Sequence, residues 1–388
     1  MTDSFDELQK LEQGSGAGPA IARLIDVLKA EKQYHRIFDA LLLEVRQQMG
    51  ISLVRPTSFD DVPADKKDEF EKAYIDAARS VGKMFLDDQQ LGPAWMYFRT
   101  IQEPDIIRES LDKIDLETID GQAVEELINI GLHEGAHPVK GFAALLRYHG
   151  TCSTITAFDH NLSRLKTEQR EEVARMLLGQ LHTDLMHSLQ RDIQRRLPTE
   201  PPADSISAMI VGRDWLFAEH NYHIDVSHLS SVVRFARSLP EGDPDLSKAI
   251  ELCAYGAMLS TQFQYPSEAP FQDYYAAHKA YFCVLADQKR EENLNYFREI
   301  LKNEIAFEQQ QLIALVLVDL LGRIDRENDA VEIAAEYLSG VEEAQTFSYS
   351  TLCQDARRWD LLEKSARERG DLVLFMATLL EAERSAKV

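Results

Sequence analysis

The chain has 388 residues and a formal net charge of −23, with 45% hydrophobic and 28% charged residues. This balance is typical of a soluble globular protein, and the length predicts two or three domains or one long repeat array. The negative charge argues against nucleic acid and anionic membrane as partners, because both would be repelled.

No segment predicts export or membrane insertion. Residues 1–7 are acidic and lack the apolar centre of a signal peptide. The longest apolar run, residues 312–321, is too short to cross a bilayer and contains Asp319. The four cysteines lie far apart without a C-x-x-C pair, which is typical of reduced thiols. These features predict a cytoplasmic location.

The N-terminal part begins with a predicted flexible arm, residues 1–18, which ends in a Gly-rich hinge. Apolar residues at 21, 24, 25 and 28 then follow helical spacing. A second helix is predicted from about Tyr34 to Met49, ending at Gly50.

Residues 74–104 carry small and aromatic residues at the intervals of a helical hairpin: Val81, Gly82, Phe85, Ala94 and Phe98. This pattern resembles the tetratricopeptide repeat, in which small residues let two helices approach and aromatic residues fill the gaps between them. Ala78 stands where that repeat usually has tryptophan, and Pro104 comes about two positions early. The resemblance implies paired helices over residues 19–112 and a surface for a partner protein.

The section 113–240 is rich in histidine: nine of the eleven histidines lie between His133 and His228. His133 and His137, with Glu134 between them, form an H-E-x-x-H pattern that is similar to the zinc-binding helix of zincin peptidases. Pro138 argues against a continuous helix through this pattern. We therefore expect a bent His/Glu loop that converges on a metal or substrate, or else a connecting loop with solvated, capping side chains.

A second candidate follows at Cys152. Gly150 is predicted to end one helix and Thr151 to cap the next, which puts Cys152 in a first helical turn, where a thiolate is favoured. With a nearby histidine, Cys152 would be a nucleophile. The alternative is a small buried thiol that packs at the start of the helix.

A third candidate lies beyond a proline-rich break at residues 197–203. If the chain at 220–228 is extended, His223 and Asp225 project to the same side, which suits a metal pair or an oriented base. In the alternative, Asp225 caps a helix that begins near His228, and the histidines fill polar gaps.

The C-terminal part, residues 241–388, reads as helical repeats. Two similar units, one within residues 321–334 and one within 356–366, recur after roughly 31–34 residues, close to the length of a helix-turn-helix repeat. No stretch of alternating apolar and polar residues is long enough to predict a β-sheet. The predicted fold is all-α: tandem helical hairpins in a tetratricopeptide-like α-solenoid or a closed helical toroid, with a His-rich middle section.

Two functions are compatible with these patterns. In the first, the protein is a soluble, cytoplasmic, metal-dependent hydrolase. The predicted ligands of a divalent metal such as zinc are His133, His137 and His223, with His228 or Asp225. Glu134 is the predicted base that activates water. In a variant of this mechanism without metal, Cys152 is the predicted nucleophile. In the second, it is a non-catalytic helical-repeat scaffold that binds a partner protein. The substrate is not indicated.

Overall fold

A computed structural model describes residues 2–119, 121–199, 203–341 and 347–385. Every regular element in these ranges is a helix, which confirms the all-α prediction. The chain divides into two compact units, Met1–Gly150 and Thr151–Val388. This boundary lies inside the predicted section 113–240.

The first unit is a series of helices in which each packs mainly against its neighbours in the sequence. They are α1 Thr2–Ser15, α2 Ala17–Ala30, α3 Tyr34–Met49, α4 Lys67–Asp87, α5 Leu91–Thr100, α6 Pro104–Asp112 and α7 Gly121–Ile128, with a π-helical segment Asn129–His133. The helix α8, Pro138–Asn161, is broken at Gly150 (φ 79°, ψ 178°) and passes into the second unit there.

The second unit begins with a long helix and continues as another series of neighbouring helices. They are α9 Thr167–Arg196, α10 Ile206–Ile210, α11 Val226–Phe235, α12 Leu246–Met258, α13 Tyr274–Leu285, α14 Arg290–Asn303, α15 Phe307–Gly322, α16 Glu327–Tyr337, α17 Tyr349–Asp355, α18 Trp359–Arg369 and α19 Leu372–Ser385. The proline-rich break predicted at 197–203 lies partly outside the described residues.

One tight turn recurs between helices in both units. A non-glycine residue adopts a positive φ of 52–58°, and the next N–H donates to the carbonyl five residues before it at 2.8–3.0 Å. The residues with positive φ are Lys32, Gln89, Gln102, Asp287, Asp325 and Arg357. The accepting carbonyls belong to Leu28, Phe85, Phe98, Cys283, Leu321 and Cys353, whose side chains are buried. This is the 6→1 bond of a Schellman motif, and it ends each helix close to the start of the next.

Small residues bring neighbouring helices together, as the spacing in residues 74–104 predicted. A Cβ built on Gly82 would lie 2.9 Å from the Phe98 ring, so α4 and α5 meet at a position that only glycine fits. Gly256 in α12 faces the Tyr275 ring of α13 in the same way, at 2.4 Å. Phe98 and Tyr275 are fully buried.

The N-terminal segment differs from the flexible arm predicted over residues 1–18. It forms α1, which packs against α2, and Arg23 pairs with Glu7 at 2.8 Å. Leu8 and Leu11, three residues apart, are half-buried on one side of this helix. The predicted hinge is reduced to Gly16, which has a positive φ between the two helices.

Within the described residues, no helix combines the length and the apolar character needed to cross a membrane.

Candidate functional site

The H-E-x-x-H segment is a bend between two helices, as Pro138 predicted. The π-helical segment ends at His133, residues 134–137 are non-helical, and α8 begins at Pro138. The bend is held by backbone bonds from the N–H groups of Ala136 and His137 to the carbonyls of Ile130 and Gly131, both at 3.1 Å.

Two glycines make the bend possible, because they let α8 lie directly against the preceding segment. A Cβ on Gly141 would come within 2.6 Å of the backbone nitrogen of Leu132, and one on Gly131 would come within 3.1 Å of the His137 carbonyl oxygen. The guanidinium of Arg108 also donates to the Ala136 carbonyl at 3.0 Å.

Two polar side chains of this bend, Glu134 and His137, have partners inside the first unit. Glu134 forms an ion pair with Arg99. His137 Nδ1 accepts the Lys140 N–H at 3.3 Å, so Nε2 carries the proton that is donated to Asp112 at 2.8 Å. His133 is exposed. In this arrangement both ring nitrogens of His137 are engaged, and its contacts favour the structural alternative of a connecting loop.

Cys152 lies just after the break at Gly150, in the first turn of the second part of α8, where the sequence predicted it. Its side chain is exposed, so the alternative of a buried packing thiol is wrong. The helix begins here at the surface, and the buried positions of its first turns are Thr154, Ile155 and Phe158.

His223 belongs to a part-buried polar cluster of the second unit. Its backbone N–H donates to the Tyr255 hydroxyl at 2.8 Å, the same hydroxyl lies 3.2 Å from Nδ1, and Nε2 lies 3.2 Å from an Asp192 carboxylate oxygen. Burial lowers the pKa of His223, and the hydrogen bond to Asp192 opposes that shift. A neutral imidazole with Nε2–H facing Asp192 satisfies all three contacts.

Asp225 is the N-cap of α11, as one alternative predicted. Its carboxylate accepts the Ser227 hydroxyl at 2.6 Å and the backbone N–H groups of Ser227 and His228 at 2.8 and 3.2 Å. The Ser227 hydroxyl and these N–H groups lower the pKa of Asp225 although burial opposes them. Capping explains this residue fully.

The predicted site draws on both units, since His133, Glu134 and His137 belong to the first, and Cys152, His223, Asp225 and His228 to the second. Within either unit, the described side chains of His, Cys, Asp and Glu form no group of three arranged to hold a metal. The metal and the hydrolytic activity stay predictions.

The sequence analysis did not single out the surface where α14 meets α15, which we call the α14–α15 face. It is a shallow depression of about 780 Å³ along one side of α14, and Ile305 and Phe307 follow Glu304, the last residue of its lining, in the chain. Its carboxylates are Glu292, Glu299 and Glu304, and its apolar lining is Tyr296 and Ile300. Ile305 is 94% exposed and Phe307 61% exposed.

The signal for this face was present in the sequence. Residues 304–306 connect two helices, Phe307 begins the second of them, and such connections are usually polar or contain glycine or proline. Two large exposed apolar residues at a connection of this kind depart from that pattern.

Comparisons of the chain with protein-family models, curated proteins and solved structures give no match.

Proposed function

We propose that this protein is a helical-repeat scaffold that binds a partner protein through the α14–α15 face. The observation that carries the proposal is the pair of exposed apolar side chains, Ile305 and Phe307, that follow Glu304 of an acidic depression in the chain. Exposed apolar groups that are rimmed by polar side chains are typical of protein–protein interaction sites.

The architecture supports a scaffold. Consecutive helices pack in series in each unit, and the same Schellman turn recurs in both. In such arrays each helix contacts mainly its neighbours, so long surfaces stay open for a partner.

The charge of the face selects the partner. Glu299 forms no ion pair with any described residue, and Glu292 pairs only with the exposed Lys289 at 3.4 Å. Glu304 accepts the backbone N–H groups of Ile305 and Ala306 at 2.8 and 2.9 Å, which fixes the direction in which the connection projects. A segment with basic side chains beside apolar ones would complement the carboxylates and cover Ile305 and Phe307.

The apolar contribution is large enough for specific recognition. Burying an isoleucine or phenylalanine side chain contributes roughly 1.5–3 kcal/mol, and part of this is offset by the entropy lost on association. Losing both contacts should therefore weaken binding by about tenfold to a few hundredfold.

The experiment is a selection from a random peptide library displayed on phage, with the immobilised full-length protein as bait. We expect enrichment of peptides that combine lysine or arginine with large apolar residues. The same selection against Ile305→Ser/Phe307→Ser should lose these peptides. The matched control is Leu372→Ser/Val373→Ser, which removes an equally exposed apolar pair from α19 and should keep them.

Direct titration with one synthesised peptide from the selection separates the contribution of charge to binding from that of the apolar contact. Glu292→Gln/Glu299→Gln should weaken binding of that peptide more at low than at high ionic strength, because surface charge pairs are screened by salt. Peptides that bind the wild type and Ile305→Ser/Phe307→Ser equally well, or that carry no basic residues, would refute the proposed face.

A further inference from the structure

A second feature, apart from the α14–α15 face, is an arginine-lined cavity of about 490 Å³ within the second unit. Four arginines line it: Arg170, Arg234, Arg237 and Arg323. They come from the start of α9, from α11 with the 3₁₀ turn Ala236–Ser238 that follows it, and from the end of α15. Four guanidinium groups around one cavity are unexpected in a chain with a net charge of −23.

The carboxylates of this cavity do not neutralise these arginines. Glu241 pairs with Arg290 at 2.6 Å, and Glu171 pairs with Arg175 at 3.4 Å. Asp319 accepts the Tyr281 hydroxyl at 3.3 Å. Glu241 and Glu171 are therefore paired with arginines other than these four, and Asp319 is linked to Arg323 only through the Tyr281 hydroxyl.

Two of the four arginines have structural roles. Arg234 pairs with Asp159 at 3.0 Å. Arg323 donates to the carbonyl of Arg237 and the hydroxyl of Tyr281, both at 2.6 Å, and to the carbonyl of Leu239. These contacts tie the 3₁₀ turn to α13 and fix one wall of the cavity.

The other two arginines have no carboxylate partner among the described residues. The Arg237 guanidinium lies over the rings of Phe271 and Tyr281, with its central carbon 4.7 and 5.4 Å from their centroids. Arg170 donates from Nη2 to Thr167 at 3.1 Å, while its Nε is buried and has no hydrogen-bond partner. A buried guanidinium N–H without an acceptor is unusual, and no described carboxylate compensates the positive charge of Arg170 or of Arg237.

The cavity has the remaining features of an anion site. Thr167 and Ser238 supply hydroxyl groups to its lining, and Thr167 is the first residue of the 30-residue helix α9, where backbone dipoles favour negative charge. The planar forks of Arg170 and Arg237 match the paired oxygens of a phosphate group. A volume near 490 Å³ is within the range of small-molecule sites.

We propose that this cavity binds a small, multiply charged anion through a phosphate group held by Arg170 and Arg237. Stacking on Phe271 and Tyr281 keeps the Arg237 guanidinium oriented before the anion arrives, so little side-chain freedom is lost on binding.

The test is isothermal titration calorimetry of the full chain with inorganic pyrophosphate, phosphate and citrate at equal ionic strength. We expect pyrophosphate to bind at micromolar to millimolar concentration, and Arg170→Gln and Arg237→Gln each to weaken it by about tenfold or more. Arg237→Lys should bind with an intermediate affinity, because it keeps the charge and loses the fork.

The matched control is Arg191→Gln, on the same helix about 30 Å from Arg170 by helical rise, which should leave binding unchanged. Circular dichroism of each variant establishes that it is folded. If Arg237→Gln unfolds, Arg170→Gln carries the test alone. Binding of neither phosphate anion, equal binding by wild type and Arg170→Gln, or binding of citrate alone would each overturn the phosphate site.

Discussion

His278 should make the second unit sensitive to acid. This residue of α13 is 1% exposed, stacks on Phe271 with ring centroids 4.2 Å apart, and donates from Nδ1 to the Tyr274 carbonyl at 2.8 Å. Its Nε2 is buried without a hydrogen-bond partner. Burial lowers the pKa of His278 to about 3; the Tyr274 carbonyl opposes this, and the positive charges of Arg237 and Arg234 add to it.

The sign and size of the effect follow from linkage between protonation and folding. In the unfolded chain the pKa of histidine is about 6.5. The stability that comes from keeping His278 neutral is therefore complete above about pH 6.5 and is lost as the pH falls toward 3. Between about pH 7.5 and pH 5 the unfolded state takes up a proton that the folded state does not, which lowers the free energy of unfolding by about 2 kcal/mol.

The assay compares urea unfolding of the wild type and of His278→Gln at those two pH values. The amide of glutamine can keep a hydrogen bond to the Tyr274 carbonyl, and it does not titrate. We expect the wild type to lose about 2 kcal/mol more than the variant on acidification. Equal losses in the two proteins would refute the reasoning, because every other titrating group is common to both.

Three further predictions test the fold by urea unfolding at neutral pH. Gly82→Ala should destabilise the protein by about 1–3 kcal/mol, because the new methyl group would clash with Phe98. Gly179→Ala, which has open space around it in α9, should stabilise the protein by up to about 1 kcal/mol. Similar effects at the two sites would contradict the packing described. Gln102→Gly should stabilise the protein by about 1 kcal/mol, because glycine adopts the positive φ of this position without strain. A loss of stability would contradict the turn conformation described for this position. Arg46→Leu should lower the free energy of unfolding by about 3 kcal/mol or more. The Arg46 guanidinium is fully buried and donates to Asp61 at 3.0 Å and to the carbonyls of residues 52, 56 and 58. A loss of stability below about 1 kcal/mol would contradict that role.

Much of the helical layout could be predicted because local signals were strong. The predicted helix from Tyr34 to Met49, ending at Gly50, agrees with the structure, in which Gly50 adopts a left-handed conformation. The bend before Pro138 and the break at Gly150 were also predicted, since proline and glycine restrict or release the backbone in known ways. Asp225 as a cap followed from the same kind of local chemistry.

Other features could not be read from local signals. Four of the six repeated turns use lysine, glutamine or arginine at positive φ, and these residues, unlike the aspartate of the other two, are not enriched in the left-handed region. What holds them in place is the packing of the buried residues before each turn, which depends on neighbouring helices. The arginine-lined cavity was missed for a related reason, since Arg170, Arg237 and Arg323 are far apart in the sequence and come together only through tertiary packing.

The candidate catalytic residues illustrate the limit of motif reasoning. The spacing of His133 and His137 suggested a shared metal. Spacing does not reveal that both ring nitrogens of His137 form hydrogen bonds, one with Asp112 and one with the Lys140 N–H. Elemental analysis of the purified protein tests the predicted metal directly. Stoichiometric zinc that is lost in folded His133→Ala protein would favour the hydrolase over the scaffold.

The measurement that tests the scaffold most directly is hydrogen–deuterium exchange of the full chain with and without a peptide selected by phage display. The α14–α15 face predicts protection of backbone amides within α14, Arg290–Asn303, and at the start of α15. The Ile305→Ser/Phe307→Ser variant should show no such protection at the same peptide concentration. Protection that falls on α19 or in the first unit instead, while α14 exchanges as before, would contradict the account.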